Sequence, residues 1–450
     1  MNDTTKKIID FLKNMKYDRL PPTTQNHATR AIIDATGCIL AGIDTPVGQG
    51  IGRVGVKFPH PEGSTIIGTS ADISPFIAAM ANSFRANALD GDDGHRASRL
   101  HAGGVIIPAT MAACEQKDCS GARFIEAVVL GYELGHRAGI VSQKDNTYFG
   151  SAYGATYGAA AAAAHILGLS PDETISALGI CEMHAPNCLL MGWITSRRIP
   201  MIKEGMGWSA ATGLMAAYLA QEGVTGTLTL YADAKEISRI DRLGQDYELE
   251  RNYYKPFPSC RWSHSPLESL LKLMRDHSLT AEQVFRIRVR TFDKAARLDN
   301  PEPRTAEDAQ YSIPFILATA VLEGDFAPKH HHERYLFNET VLSLSRKVEV
   351  ICDSELNRQY PDYIISEVEV ETLDGKKYSL ENKIVLGDWV KPLSDQQIDD
   401  KFRKFTDGVI ALEQANDVLT RIKELATHKS AKGFVSILHE YASKQHGTGE

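Results

Sequence analysis

The densest group of reactive side chains lies between residues 87 and 104. Here the stretch DGDDGHRASRLH, from Asp90 to His101, holds three carboxylates, two imidazoles and two guanidinium groups among glycine and other small residues. A histidine near a carboxylate is the usual general acid/base arrangement, and loops on rigid scaffolds are where catalytic groups concentrate. Two other interpretations stay open, a divalent-metal site and a solvated turn capped by aspartates. The metal is disfavoured because the stretch has neither an HxxxH pair nor carboxylates paired at helical spacing.

Two further segments carry cations or a nucleophile. In RRIPMIKEGMGW, from Arg197 to Trp208, Lys203 precedes a predicted helix, where a cation next to the helix N-terminus would suit a carboxylate. The alternative is a plain surface lysine, and the segment is not a phosphate-binding P-loop. The stiff segment KPFPSCRWSH, from Lys255 to His264, lies at a predicted boundary between two structural units, a common place for ligand clefts. Its Cys260 could be a nucleophile, but no third residue to orient a Cys–His pair is evident.

The elements that must position these groups change in type near residue 264. Apolar residues at helical spacing predict helices up to that point, and an alternating pattern then predicts strands. The sequence therefore predicts a mainly α fold, in which a large all-helical domain (1–264 and 392–450) is interrupted by a smaller α/β unit (265–391). The predicted helices are Thr24–Leu40, Pro75–Asn87, Phe124–Ile140, Gly154–Leu167, Pro171–Met183, Ser209–Gln221, Pro266–Asp276, Ala306–Glu323, Asp395–Leu425 and Ala431–Ser443, and the predicted strands are Phe285–Phe292, Leu342–Cys352, Ile364–Thr372 and Lys377–Leu380.

Composition limits the class of protein. The 450 residues carry a formal net charge of −8 with a pI near 6.0, which disfavours nucleic acid as a partner. No uncharged apolar stretch is long enough to predict a membrane span, and the N-terminus has no secretory signal pattern. The seven cysteines are scattered without a CxxC pair, which favours reduced thiols in the cytoplasm. Because neither a metal-ligand spacing nor a nucleotide-binding loop is present, we expect no cofactor and no metal.

Six segments together resemble the MmgE/PrpD family. They are LDGDD (89–93), LHAGG (100–104), KPFPSCRWSH (255–264), PRTAEDAQYSIPF (303–315), KVEVICD (347–353) and KPLSDQQIDDKFRKF (391–405). Each motif is weak alone, but their order and spacing are specific, and the likeness runs from about Thr24 to Leu425. The family includes 2-methylcitrate dehydratase, cis-aconitate decarboxylase and iminodisuccinate epimerase. The resemblance implies a helical domain with a smaller α/β lid, and a homodimer.

The resemblance also implies roles for single residues. Asp90 and His101 match the acid/base positions of the family, Lys203 and Lys255 match lysines that bind or polarise substrate carboxylates, and His264 matches a pocket histidine. We place Arg261 and Asp93, which belong to the same motifs, with the substrate-binding residues.

The sequence departs from the family at three places. Gly94 stands where decarboxylases and some dehydratases have threonine, and IKEGMGW replaces a form in which arginine, leucine and histidine follow the lysine. YFGSAY, from Tyr148 to Tyr153, replaces a segment that carries a histidine in many members. We predict that Tyr153 takes over from that histidine as a proton donor or hydrogen-bond partner.

These residues predict proton abstraction next to a carboxylate of a small di- or tricarboxylic acid. His101, oriented by Asp90, suits the base, while Lys203 and Lys255 suit the cations that stabilise the developing negative charge. Loss of hydroxide would make the protein a dehydratase-like lyase, which is our main expectation. Reprotonation on the opposite face would give an epimerase of a dicarboxylate, and loss of CO2 a decarboxylase of an aconitate-like acid. A non-catalytic binding protein is disfavoured because all four residues occur together.

Overall fold

The structure is a computed structural model that describes residues 3–142, 150–188, 190–231 and 240–446. Tyr148, at the start of the segment that departs from the family, lies outside these ranges. The mainly α fold is confirmed. The α-helices in these ranges are Asp3–Asn14, Pro22–Ala41, Pro46–Gly55, Pro75–Asn87, Gly103–Gln116, Gly121–Ser142, Tyr153–Leu167, Pro171–His184, Leu190–Ser196, Met206–Gln221, His264–Asp276, Asp293–Ala296, Ala306–Gln310, Ile313–Glu323, Glu333–Leu336, Glu339–Ser345, Ser354–Asn357, Asp395–Thr406, Leu412–Lys423 and Lys432–His446.

Tight helix packing forms the centre of the helical body. Gly121–Ser142 and Tyr153–Leu167 approach so closely that a Cβ atom on Gly158 would lie 2.4 Å from the carbonyl oxygen of Gly131. The alanines from 159 to 164 are all fully buried. Small side chains allow this approach, and the apolar cluster around them continues into the helices at both ends of the chain.

The body also contains a β-hairpin that the sequence did not predict. Strands Pro59–Ile66 and Ser70–Ile73 pair in antiparallel fashion, so the predicted all-helical composition of this part is wrong in detail. Two short antiparallel strands, Gly94–His95 and Asn252–Tyr253, join the loop from Asp90 to His101, called the acid/base loop below, to the segment before Lys255. These distant parts of the chain are therefore held side by side.

A four-stranded sheet forms the centre of the inserted part of the chain. Its order is Val348–Cys352, Val284–Thr291, Ser366–Thr372 and Lys377–Asn382, with the first pair parallel and the others antiparallel. The side chains of Ser366–Thr372 alternate between buried and half-buried, as a strand with one covered face requires. Helix His264–Asp276 packs on this sheet, and the apolar residues form a second core.

Three predicted elements differ from the structure. Residues 342–345, predicted as strand, end the helix Glu339–Ser345, because the Asn338 side chain accepts the backbone N–H groups of Thr340 and Val341 and caps that helix. The helix predicted over 306–323 breaks at Tyr311, and Ser312 caps its second half. The helix predicted over 395–425 is likewise two helices, separated by a turn with Gly408 at φ +81°.

The last helices return to the first ones. Helix Asp395–Thr406 packs along Pro22–Ala41, where the Cβ position of Gly37 lies 3.0 Å from the Phe402 ring. The buried Lys401 pairs with Asp34 and donates a hydrogen bond of 2.6 Å to the carbonyl oxygen of Gly91. These contacts support the proposed division into 1–264 with 392–450 and an inserted unit at 265–391, while the second core also takes in Ile194, Phe257 and Cys260 from before the boundary.

No single helix in the described ranges is both long and apolar enough to cross a membrane. The helices Pro22–Ala41 and Pro46–Gly55 reach the required length and composition only as a pair bent by 87°.

Candidate active site

A cavity of about 590 Å³ is lined by residues from both sides of position 264, where the sequence predicts a boundary. This volume is typical of a small-molecule site. The lining includes Asp90, His95 and His101 of the acid/base loop, and Lys294 and Tyr360 from the part of the chain between residues 265 and 391. Arg96, Arg99, Lys255, Arg261 and Lys294 bring five cationic side chains to the lining, whereas Asp90 and Glu204 are its two carboxylates. The lining is therefore suited to a polyanionic ligand.

Asp90 is held by Lys255 rather than by His101. The Lys255 ammonium lies 2.7 Å from the Asp90 carboxylate and also donates to the Asp90 carbonyl oxygen at 2.9 Å. Both side chains are buried, and Asp90 has a φ of +51°, in the left-handed region that aspartate tolerates better than most residues. Burial would raise the pKa of Asp90, but Lys255, Lys203 and His101 lower it, and the net pKa lies well below the usual range.

His101 has a different carboxylate as its neighbour. Its Nδ1 lies 3.4 Å from Oδ1 of Asp92, which also accepts a hydrogen bond from the Asn87 amide at 3.1 Å. Burial and Lys255 lower the pKa of His101, but Asp92 and Glu204 raise it, and the net pKa is above its ordinary value. In the structure Asp92 therefore takes the orienting position that the sequence prediction gave to Asp90.

Asp90, Asp92 and His101 have potential ligand atoms within 4.8 Å of one another, which is close enough for all three to contact one metal ion. The Lys255 ammonium already supplies the positive charge next to Asp90 at 2.7 Å. A divalent cation bound to the same carboxylate would be repelled by this buried ammonium. The donor set does not fit a metal well, and the expectation of a metal-free site stays a prediction.

Asp93 supports the loop from behind. Its carboxyl group accepts hydrogen bonds from the Gly103 backbone, the Tyr132 hydroxyl and the Asn252 amide at 2.9, 2.8 and 2.6 Å. Burial and the neighbouring carboxylate of Asp34 raise the pKa of Asp93 to about 7. Asp93 is not part of the cavity lining, so its predicted contact with substrate has no geometric support.

The turn that precedes helix Met206–Gln221 sends two neighbouring side chains in different directions. Lys203 is buried, its Nζ donates to Oε1 of Gln310, and it lies 5.6 Å from the centre of the Tyr311 ring. Lys203 thus lies behind the wall to which Tyr311 belongs, whereas Glu204 lines the cavity itself. The predicted contact between Lys203 and the substrate stays a prediction, although the charge of Lys203 acts on Asp90, which does line the cavity.

A second imidazole beside the cavity belongs to a buried polar network. Nε2 of His95 lies 3.3 Å from the Glu248 carboxylate, and its Nδ1 is 3.0 Å from the Ser98 hydroxyl, which in turn lies 3.0 Å from His136. The His95 and His136 rings stack at 4.2 Å. The network fixes the middle of the loop. The sequence places Glu248 far from His95, so no local signal predicted their contact.

Comparison with known proteins identifies the relatives of this arrangement. Sequence models of the MmgE/PrpD N-terminal and C-terminal domains match residues 6–250 and 257–425. The chain belongs to the MmgE/PrpD family. It is 25% identical to the cis-aconitate decarboxylase-like protein oryM of Aspergillus oryzae over 97% of both chains. It is 26% identical to the cis-aconitate decarboxylase of Aspergillus terreus (90% of this chain and 89% of that one) and 23% identical to that of Homo sapiens (94% and 92%).

The absence of a side chain at Gly94 has a steric reason in this structure. A Cβ atom on Gly94, where decarboxylases of the family have threonine, would lie 2.3 Å from the Tyr253 ring. Tyr253 lines the cavity and lies under the Arg261 guanidinium at 4.1 Å from its ring centre. The Tyr253 ring therefore fills the space that any side chain at position 94 would need.

The other predicted residues lie at different distances from the cavity. Arg261 lines it and pairs with Asp388. His264 lies outside the lining, 3.2 Å from the Ser259 carbonyl oxygen, and burial and Lys255 lower its pKa to about 3. Tyr153 is also outside the lining, with its hydroxyl 3.4 Å from that of Tyr157. The geometry thus brings Asp90, His101, Lys255 and Arg261 together and leaves the other four predicted residues behind the walls.

Proposed function

We propose that the protein is a cofactor-independent lyase that removes a proton next to a carboxylate of a small di- or tricarboxylic acid, with dehydration as the outcome. The observation that carries this proposal is the position of His101, backed by Asp92, in a cavity with five cationic side chains. A neutral imidazole can take the proton, and the Asp92 carboxylate stabilises the imidazolium that results.

The cations supply the remaining stabilisation. Removing the proton places negative charge on the adjacent carboxylate, and a buried ammonium close to that charge stabilises it more than water would. Lys255 lies next to Asp90 and His101, which makes it the first candidate for this role. Arg99 and Lys294, which both line the cavity, are candidates for binding a second carboxylate. Burial and then Arg99 lower the pKa of Lys294, as expected for two cations that face one site.

Decarboxylation is the second candidate, because the relatives described above are decarboxylases of cis-aconitate. The same cavity could bind an unsaturated tricarboxylate, with loss of CO2 in place of hydroxide. Epimerisation of a dicarboxylate is the third and needs a proton donor opposite His101. The position of Tyr153 behind the wall gives that alternative no direct support.

We propose further that the protein is a cytoplasmic homodimer. All seven cysteines are free thiols, as the reducing cytoplasm favours. Helix Met206–Gln221 and the turn before it expose apolar side chains, among them Trp208 at 55% and Ile202 at 48%. An exposed apolar face of this kind supports a protein interface.

The test is a screen for C–H cleavage. Citrate-, malate- and aspartate-derived acids and cis-aconitate are incubated with the protein in D2O and examined by mass spectrometry, while released CO2 is measured in parallel. We expect deuterium uptake or water loss with at least one acid. His101→Asn should slow it by about 10²–10⁴-fold. The matched control is His60→Asn, because His60 is exposed on the hairpin. Equal rates for His101→Asn and wild type would refute the proposal.

A further inference from the structure

Glu204 is a buried carboxylate on the wall of a cavity that otherwise favours anions. It is 6% exposed, it lines the cavity, and its Oε2 receives no hydrogen bond from any described part of the chain. Burying a polar group without a partner is unfavourable, more so when the group is charged. A carboxylate in this position therefore needs a partner that binds from the cavity.

The backbone holds Glu204 in place. Its φ of +61° and that of Gly205 at +75° form a left-handed turn directly before helix Met206–Gln221. A non-glycine residue with positive φ is uncommon, and such strain persists where the surrounding structure fixes it. The neighbouring Lys203 reaches Gln310 and forms no ion pair with Glu204 in the described ranges. Glu204 thus lines the cavity without an ion-pair partner among the described residues.

Electrostatics place Glu204 close to the reacting centre. Its charge is among the causes that raise the pKa of His101, after burial, Lys255 and Asp92. When a substrate carbon gives its proton to His101, a substituent on the next carbon therefore feels the negative charge of Glu204. A carboxylate of the substrate at that atom would be repelled, whereas a hydrogen-bond donor would be attracted.

We propose that Glu204 is a specificity-determining residue that accepts a hydrogen bond from a hydroxyl or ammonium substituent of the substrate, next to the carbon that loses its proton to His101. The inference rests on the proposed function and names the substrate class more closely, as polycarboxylates that carry such a donor. It separates this protein from an enzyme of cis-aconitate, which has no donor substituent on its carbon chain.

The experiment measures binding of acids that differ only in the donor group. Calorimetry gives dissociation constants of wild type and Glu204→Gln for citrate against tricarballylate (a hydroxyl against hydrogen) and for aspartate against succinate (an ammonium against hydrogen). We expect wild type to prefer the donor-bearing member of one pair by about tenfold or more, the usual value for a hydrogen bond to a charged group. Glu204→Gln should lower that preference by about tenfold and should bind the unsubstituted acid more tightly. The pair that responds identifies the substituent.

A matched control and a second readout separate the possible results. Glu222→Gln makes the same chemical change at the exposed far end of the helix and should leave all constants unchanged. Glu204→Gln should also raise the melting temperature of the ligand-free protein, since it removes an unpaired buried charge, whereas a supporting role for Glu204 requires a lower one. Unchanged preferences in Glu204→Gln would overturn the inference and leave the proposed function intact. Failure of wild type to bind any of these acids would overturn both.

Discussion

The replacement of Asp92 by asparagine separates the two carboxylates that the sequence could not distinguish. Asp92 lies 3.4 Å from Nδ1 of His101, whereas Asp90 is bound to Lys255. Two unit charges at that distance interact by about 5 kcal/mol at an effective dielectric constant near 20. The Lys255 ammonium opposes the imidazolium, so we take about half of this, 2–3 kcal/mol. Asp92→Asn should then lower kcat by about 30- to 150-fold.

The pH dependence gives the same prediction a second measurement. His101 acts as a base only when neutral, and its pKa lies above the ordinary value, so kcat/KM should rise as the pH increases through that raised pKa. Asp92→Asn removes a carboxylate that raises the pKa, and the acidic limb of the profile should move to lower pH. The assay follows deuterium exchange or turnover of the acid found in the screen from pH 5 to 9.

Asp90→Asn is the matched control because it makes the same change two residues away. The acidic limb of Asp90→Asn should move less than that of Asp92→Asn, since Lys255 neutralises much of the Asp90 charge and Asp90 is not among the main causes that raise the pKa of His101. If the acidic limb of the pH profile shifts in Asp90→Asn but not in Asp92→Asn, the assignment of Asp92 as the partner of His101 is refuted. Circular dichroism of both variants checks that the loop still folds.

Four further predictions concern the Lys255–Asp90 pair, the crowding at Gly94, the exposed Trp208 and the absence of a metal. Lys255→Met leaves Asp90 buried without its partner and should lower the free energy of unfolding, measured by denaturant titration, by about 3–5 kcal/mol. For 450 residues this corresponds to a melting temperature lower by about 3–5 °C. The double variant Lys255→Met/Asp90→Asn should recover part of the lost free energy. Gly94→Thr should lower the free energy of unfolding by about 1–3 kcal/mol, because the added side chain overpacks against Tyr253. Adding Tyr253→Ala should relieve this overpacking, and thermal melts of the single and double variants measure both effects. Trp208→Glu should halve the mass found by light scattering if its exposed face forms the dimer; an unchanged dimer would exclude that face. Dialysis against a chelator should leave activity unchanged, and recovery of lost activity with a divalent ion would contradict the metal-free site.

The sequence predicts the helices well because their signals are local. The range Pro75–Asn87 is correct at both ends, and Pro171–His184 is one residue longer than predicted, because proline and a capping box fix its start. Residues 342–345 show the limit of such signals. Their apolar pattern fits a strand, but the cap at Asn338 starts a helix instead, and that cap could have been noticed in the sequence.

The site was less predictable because its geometry depends on distant contacts. Asp90 and Asp92 differ by two positions in one loop, and only the contact of Lys255, 165 residues away, decides which of them faces His101. Lys294 and Tyr360 come from the inserted unit and have no motif of their own. Glu204 lies in the segment from Arg197 to Trp208, in which the sequence favoured its neighbour Lys203 as the functional residue. Only the folded structure shows that Glu204 lines the cavity and that Lys203 does not.

The contact between Lys401 and the Gly91 carbonyl has a consequence for the order of events during synthesis. The two residues are 310 positions apart, so the part of the loop around Gly91 gains this contact only after residue 401 has been made, although Lys255 and the strand Asn252–Tyr253 can hold the loop earlier. At about 5–20 residues per second, the ribosome needs roughly 15–60 s to bridge that interval. Nascent chains should therefore lack this one contact to the loop for that period, and chains that stop before residue 401 should fold their first helices with Asp34 and the Gly91 carbonyl oxygen unpaired by Lys401 and remain less active.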